Sequence, residues 1–373
     1  MKDKPCYGLV CAGGGAHGAY QVGVLKYIHE HFSNGNRSPF QIFAGSSCGA
    51  LNTSFYAAQS FDAHASRLWL EELWLDFHVP AYHGNILKNG FVSLYREWRR
   101  HPSERESAWA ILDPKPMQEV IQKGFIRENL ERSLSQQSTL GIAVAATELL
   151  SGRTCWFQEG PAASEWNLFH SIGIKDRIQP AHVTASCSVP VFLPPVKIGN
   201  RYYLDGSLSL DRPLSAAIGM GASRILNIAT DIPLVKALPD YAHGFRPRLS
   251  NVVRLLLNRV GRDAAADEAA QIEMLNQPTE VFLFFPSRQI RNSWELLRAV
   301  SPQNPGGTET RGKKFSARLR RTRFMFHERF IIQLIQLGYA DARLKHAELK
   351  NFFEPHLAVR KSFFFRKRSR IQN

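Results

Sequence analysis

The first sixty positions switch twice between short continuous apolar runs and stripes spaced three or four residues apart. Tyr7-Gly8-Leu9-Val10-Cys11-Ala12 is mostly apolar and stops at Gly13-Gly14-Gly15, which predicts a buried strand ending in a glycine loop. From Ala19 to Phe32 the apolar residues fall at Val22, Leu25, Ile28 and Phe32, the spacing of a helix. Phe40 to Ala44 predicts a second short strand, followed again by glycines and by a helix-like stretch with Ala50, Leu51, Phe55 and Ala58. Strand, glycine turn and helix, repeated, predict an α/β fold: three layers, α/β/α, around a largely parallel sheet.

From about 60 to 135 the pattern changes. Trp69, Leu73, Trp74, Trp98 and Trp109 are interrupted by Pro80, Pro102, Pro114 and Pro116, which reads as a helical insertion beside the sheet. Strand character returns at Gly141 to Ala146, Arg201 to Leu204, Arg224 to Ala229 and Val281 to Phe285. Arg246 to Leu275 and Arg318 to Leu337 read as helical, and Asn292 to Gly312, with its Pro and Gly cluster, reads as a flexible loop.

Composition adds one asymmetry. The formal net charge is +15, yet residues 301–373 hold 17 Lys or Arg against 5 Asp or Glu, leaving 30 against 27 for residues 1–300. The division that follows is a nearly neutral domain over 1–300 and a basic, largely helical region over 301–373 with a flexible end. A basic cluster attracts a phosphate backbone or an anionic lipid surface, or is simply a solvated tail. With 44% hydrophobic and 21% charged residues, disorder, collagen and coiled coil are excluded. No apolar run is long enough for a membrane-spanning helix, and the start lacks a signal region. Cys6, Cys11, Cys48, Cys155 and Cys187 show no CxxC spacing and read as thiols of a reducing compartment, not a zinc site. The expectation is a cytoplasmic chain, peripheral to membranes, with no metal and no cofactor.

Three segments carry candidate chemistry. Gly13-Gly14-Gly15-Ala16-His17-Gly18 lies between a predicted strand and helix. Its amides can converge on a phosphate or on the oxyanion of an acyl-transfer intermediate, although a plain turn has the same composition. It lacks the Lys-Ser/Thr of a P-loop and the acidic residue of a dinucleotide fingerprint. Gly45-Ser46-Ser47-Cys48-Gly49 is a GxSxG turn that lifts a serine hydroxyl out of the backbone; Ser46 competes, but only Ser47 has glycine on both sides at that spacing. A serine needs a base within reach. None of the histidines after Ser47, His182 among them, has a recognisable catalytic context. Arg201-Tyr202-Tyr203-Leu204 instead predicts a strand ending in Asp205-Gly206-Ser207, a carboxylate where sites form in open α/β sheets, or an ordinary Asp-Gly turn. Asp211 is a second candidate base that looks more like a helix cap.

In this order the three segments resemble the patatin-like phospholipases, whose pattern is a glycine-rich loop, a GxSxG serine about 30 residues on, and a later Asp-Gly pair. Ala185-Ser186-Cys187-Ser188-Val189-Pro190 is similar to the Ala-Ser-x-x-x-Pro block that precedes the family's aspartate. The resemblance implies a Ser–Asp dyad of Ser47 and Asp205. It further implies an oxyanion hole from Gly13, Gly14 and Gly15, with His17 and Gly18 as candidates for substrate contact. Three departures stand out: His17 where the family usually carries Arg or Lys, Ser207 for the second glycine of Asp-Gly-Gly, and Asp211 for an asparagine.

The function implied is a serine esterase of the phospholipase A type acting on phospholipid, lysophospholipid or neutral glycerolipid, with an anionic membrane surface as partner of the basic region. The alternative is a nucleic-acid-binding or membrane-binding scaffold that keeps the fold without catalysis. Phe363-Phe364-Phe365 interleaved with Arg and Lys favours lipid over nucleic acid.

Overall fold

The computed structural model describes residues 5–33, 37–76, 113–168, 170–190, 192–210, 213–232, 278–288 and 326–354, together with Gly35, Ala110, Glu268 and Ile290. Among the described residues ten strands form one sheet: β1 (Tyr7–Cys11), β2 (Ile42–Ser46), β3 (Gly141–Glu148), β4 (Thr154–Glu159), β5 (Trp166–Asn167), β6 (Ser171–Lys175), β7 (Val196–Ile198), β8 (Arg201–Asp205), β9 (Arg224–Ile228) and β10 (Glu280–Phe284). Their order is β10-β9-β1-β2-β3-β4-β6-β5, with β8 paired to β3 and β7 to β8.

The five strands from β10 to β3 are mutually parallel. Beyond them β4 turns back antiparallel to β3 and runs parallel to β6, while β5, β7 and β8 all pair antiparallel. The sheet is therefore mixed, with a parallel core. The sequence pattern passes over β4 to β7. β5 and β7 are two and three residues long, and the apolar residues of β4 and β6 do not form the continuous runs that mark a strand buried on both faces.

Helices cover the sheet: α1 (Gly18–Phe32), α2 (Cys48–Ala58), α3 (Ala63–Asp76), α4 (Lys115–Gly124), α5 (Arg127–Ser135), α6 (Pro180–Ser186), α7 (Ser215–Gly219), α8 (Glu328–Leu344) and α9 (His346–Phe353). Alternate residues of the central strand feed two cores. Leu9 and Cys11 join a large cluster with α1, α2 and α8, whereas Val10 joins a smaller one with Ala216 and Ala217 of α7. That alternation is the period-2 signature of a sheet sandwiched between two layers.

The predicted insertion is helical where it is described, in α3, α4 and α5. Trp74 and Leu73 are core residues at 1% and 2% exposure, while Trp98, Trp109 and the side chain of Trp69 lie outside the described residues. Of the final predicted helix, residues 318–325 lie outside the described residues, and the described part is the helix Glu328–Leu344; Phe330, Ile331 and Leu334 enter the same core as α1. The predicted helix over 246–275 (Glu268 apart), the loop over 292–312 and the two clusters that hold most of the basic residues past 300, Arg311 to Arg323 and Arg360 to Arg370, also lie outside the described residues. All five cysteines are free thiols, four of them buried. Among the described residues no helix is long and apolar enough to cross a membrane.

Candidate active site

β3 brings the two central residues together. Ser46, the last residue of β2, pairs with Ala145 of β3. One residue further on, Ala146 pairs with Asp205, the last residue of β8. The other edge of β3 is filled by β4 from Ile142 to Thr147, so β8 takes over the edge that β2 leaves. Ser47 and Asp205 therefore emerge side by side at the carboxyl end of the parallel strands. The Ser47 hydroxyl donates to Asp205 Oδ2 at 2.7 Å.

Ser47 itself is a sharp strand-to-helix turn. Its φ of 53° and ψ of −131° lie in the left-handed half of the map, where a non-glycine residue typically costs about 1–3 kcal/mol. The strain is held by surrounding bonds: the Ser47 amide donates to Ser186 Oγ at 2.9 Å, and the Ser47 carbonyl accepts from Leu51 as α2 begins. As N-cap of an 11-residue helix, Ser47 sits at the positive end of α2.

Asp205 is wholly buried. Its Oδ1 accepts from the Ser207 amide at 2.9 Å and the Ser207 hydroxyl at 2.5 Å, which leaves Oδ2 turned to Ser47. Its amide donates to the Ser188 carbonyl, and its carbonyl accepts from Thr147 Oγ1. Ser186 and Ser188 thus fix both halves of the pair. The sequence showed their segment as a motif but gave no sign of these roles. Ser207, a departure from the family pattern, supplies a hydroxyl donor that glycine lacks.

The glycine loop closes the third side. A Cβ on Gly13 would stand 3.1 Å from Ser47 Cβ and 3.2 Å from the Ser207 hydroxyl, so this backbone lies directly against Ser47. Gly15 has φ +60°, a conformation that glycine adopts without strain. The Gln21 side-chain amide donates to the carbonyls of Ala12 (2.8 Å) and Ile228 (2.9 Å), Asn52 donates to Gln21 Oε1, and Trp74 Nε1 donates to Asn52 Oδ1. Holding the Ala12 carbonyl toward α1 sets the planar, trans Ala12–Gly13 peptide and hence the direction of the Gly13 N–H. None of these three polar residues was visible as functional in the sequence.

The remaining candidates separate clearly. His17 is wholly buried, its ring edge-on to Phe330 of α8 at 6.4 Å. Gly18 is bare because Trp74 and Cys48 press on it. Ser46 stays within β2, and Asp211 lies outside the described residues. Cys187 is buried near Asp205, and both burial and that carboxylate push its thiol well up, away from reactivity.

His182 is a structural residue of α6. Its Nδ1 accepts from the Gln179 amide and its Nε2 lies 3.3 Å from Asp176. Burial outweighs that carboxylate and pulls its pKa below the usual value of 6.5. The unfolded chain then binds the extra proton, so stability is full above about pH 6.5 and falls as pH drops toward the folded value. Thermal midpoints measured between pH 7.5 and 5.5 are expected to fall less in His182→Gln than in the wild type.

The family model for patatin-like phospholipase matches residues 9–218, more than half of the chain. Uncharacterized NTE family proteins of Mycobacterium bovis and Mycobacterium tuberculosis are 25% identical over 266 residues, which is 71% of this chain. The chain spans 58% of the length of these curated relatives. Among solved structures it is similar to human GIVD cytosolic phospholipase A2, with 11% identity, a TM-score of 0.44 and coverage of 94% of this chain and 60% of that one. VipD from Legionella pneumophila gives 14% identity, a TM-score of 0.33 and coverage of 91% and 67%.

Proposed function

The chain belongs to the patatin-like phospholipase family, and on that footing we propose that it is a serine esterase that hydrolyses acyl esters of phospholipids or related glycerolipids. The observation that carries the reading is the 2.7 Å hydrogen bond from the Ser47 hydroxyl to a buried Asp205 carboxylate, on a strained turn beside a glycine loop.

In this reading Ser47 Oγ attacks the ester carbonyl carbon while its proton passes to Asp205 Oδ2. Amides of the Gly13, Gly14 and Gly15 loop hold the oxyanion of the tetrahedral intermediate, and the positive end of α2 assists. Collapse of the intermediate breaks the ester bond, and Asp205 returns the proton to the departing alcohol. Water then attacks the acyl-Ser47 ester, giving its proton to Asp205. The fatty acid leaves, and the proton goes back to Ser47. Ser207 keeps the carboxylate aimed throughout by occupying Oδ1. His17, buried against Phe330 of α8, and Gly18, under Trp74 and Cys48, pack behind the loop and support it without touching substrate.

Incubating the wild type and Ser47→Ala with a mixed lipid extract, followed by mass analysis, tests the function. The expected result is loss of acylglycerolipids and gain of free fatty acid with the wild type alone. The basic residues past 300 serve on this account to draw the protein to anionic lipid. Removing residues 360–373 is expected to weaken binding to anionic vesicles, most visibly at low salt, and to leave hydrolysis of a water-soluble ester unchanged.

A further inference from the structure

Six large apolar side chains are exposed among the described residues, and four of them lie at one end of the sheet: Leu149, Leu150 and Leu168 in turns, and Tyr202 at the start of β8 beside the β7–β8 turn. Single exposed leucines need no explanation, but a cluster does. Leu150 is 93% exposed at the tip of the β3–β4 turn.

Hydrogen bonds tie these turns into one surface. The Leu149 amide donates to the Tyr202 carbonyl at 2.9 Å, joining the β3–β4 turn to the β7–β8 hairpin. The Arg153 guanidinium donates to the Leu168 carbonyl and to Asn167 Oδ1, each at 2.5 Å, joining it to the β5–β6 turn. The surface is also close to the chemistry. Leu149 follows Ala146, the partner of Asp205, by three residues, which is about 10 Å along a strand. It projects beyond the carboxyl end of β3, the end at which Ser47 lies.

The charge around it has one outward sign. Arg153, Lys197 and Arg201 lie at these turns, with Lys197 beside Tyr202 in the β7–β8 register. The acid there, Glu148, is 6% exposed and turned inward, accepting from the amides of Leu150 and Ser151. Leucine tips, a tyrosine and a cationic rim match the apolar boundary, headgroup level and phosphates of an anionic membrane surface.

We propose that these three turns are the face by which the protein lies on an anionic bilayer, with Leu149, Leu150 and Leu168 entering the acyl boundary and Arg153, Lys197 and Arg201 meeting lipid phosphates. This deepens the lipid-hydrolase reading and rests on it for the choice of a lipid surface over a protein partner. It places the reacting pair next to the substrate surface, independently of the basic residues past 300.

The test uses the full chain, vesicles of phosphatidylcholine with a minority of phosphatidylserine, and a water-soluble short-chain ester. Leu149→Ser/Leu150→Ser is expected to weaken vesicle binding by about tenfold or more and to leave kcat/KM for the soluble ester within about twofold. Leu150→Glu, at a position where folding is not at stake, is expected to do the same. Lys197→Glu/Arg201→Glu is expected to remove the salt-sensitive part of binding. Unchanged vesicle binding in both leucine variants would overturn the proposal. So would variants that dissociate an oligomer or release a protein partner while still binding vesicles. If vesicle binding falls as expected but the wild type cleaves no ester, the docking face stands and the hydrolase reading alone fails.

Discussion

Ser47→Ala and Asp205→Asn are each expected to lower hydrolysis of a soluble short-chain ester by about 10³-fold or more, with secondary structure and thermal midpoint close to wild type. Alanine removes the attacking oxygen. Asparagine keeps the shape of Asp205 but loses its capacity to take the serine proton. With the two residues acting as one unit, as proposed, the double variant is expected to be no slower than the poorer single one. Steady-state kinetics on purified variants checks this. Substantial activity in Asp205→Asn would mean that another base serves Ser47, and none of the described contacts of the Ser47 hydroxyl offers one.

The second large effect is on stability. Gly23 of α1 and Gly338 of α8 face each other's backbones: a Cβ on Gly23 would stand 1.9 Å from the Ile335 carbonyl oxygen, and one on Gly338 would stand 2.0 Å from that of Tyr20. No side-chain rotation relieves a clash with backbone, so Gly338→Ala must force the helices apart. The expected cost is about 3 kcal/mol, the upper end of the overpacking range. Tyr20 is also bonded to Asp341 at 2.9 Å, and that bond would be strained in the same movement. Because α1 begins at Gly18, directly after the glycine loop, ester hydrolysis is expected to fall together with the thermal midpoint. Denaturation of Gly338→Ala at the wild-type midpoint would show that α8 is not locked on α1 in this way.

What the sequence made legible follows from local chemistry. The glycines around Ser47 and after Asp205 are turn requirements that each segment carries within itself, so both residues could be picked out without knowing the fold. Their meeting could not. It depends on β8 taking over the edge of β3 one residue beyond the end of β2, a pairing across more than fifty residues with no local trace. The supporting bonds from Ser186, Ser188 and Thr147 are hidden for the same reason, as is the Gln21–Asn52–Trp74 chain behind the loop. These are ordinary polar residues until three helices cross. The strands from β4 to β7 leave little local trace: β5 and β7 are two and three residues long, and β4 and β6 hold their apolar residues only in short runs broken by polar residues or glycine. Those same strands carry the turns now proposed as the docking face.

The account stands or falls on Ser47 being an activated nucleophile. A long-chain alkyl fluorophosphonate phosphonylates such a serine, displacing fluoride, and peptide mass analysis locates the adduct. The prediction is one adduct per chain, on the peptide containing Ser47, with labelling abolished in Ser47→Ala and strongly slowed in Asp205→Asn. An ester-hydrolysing wild-type protein that carries its label on any other residue would contradict it.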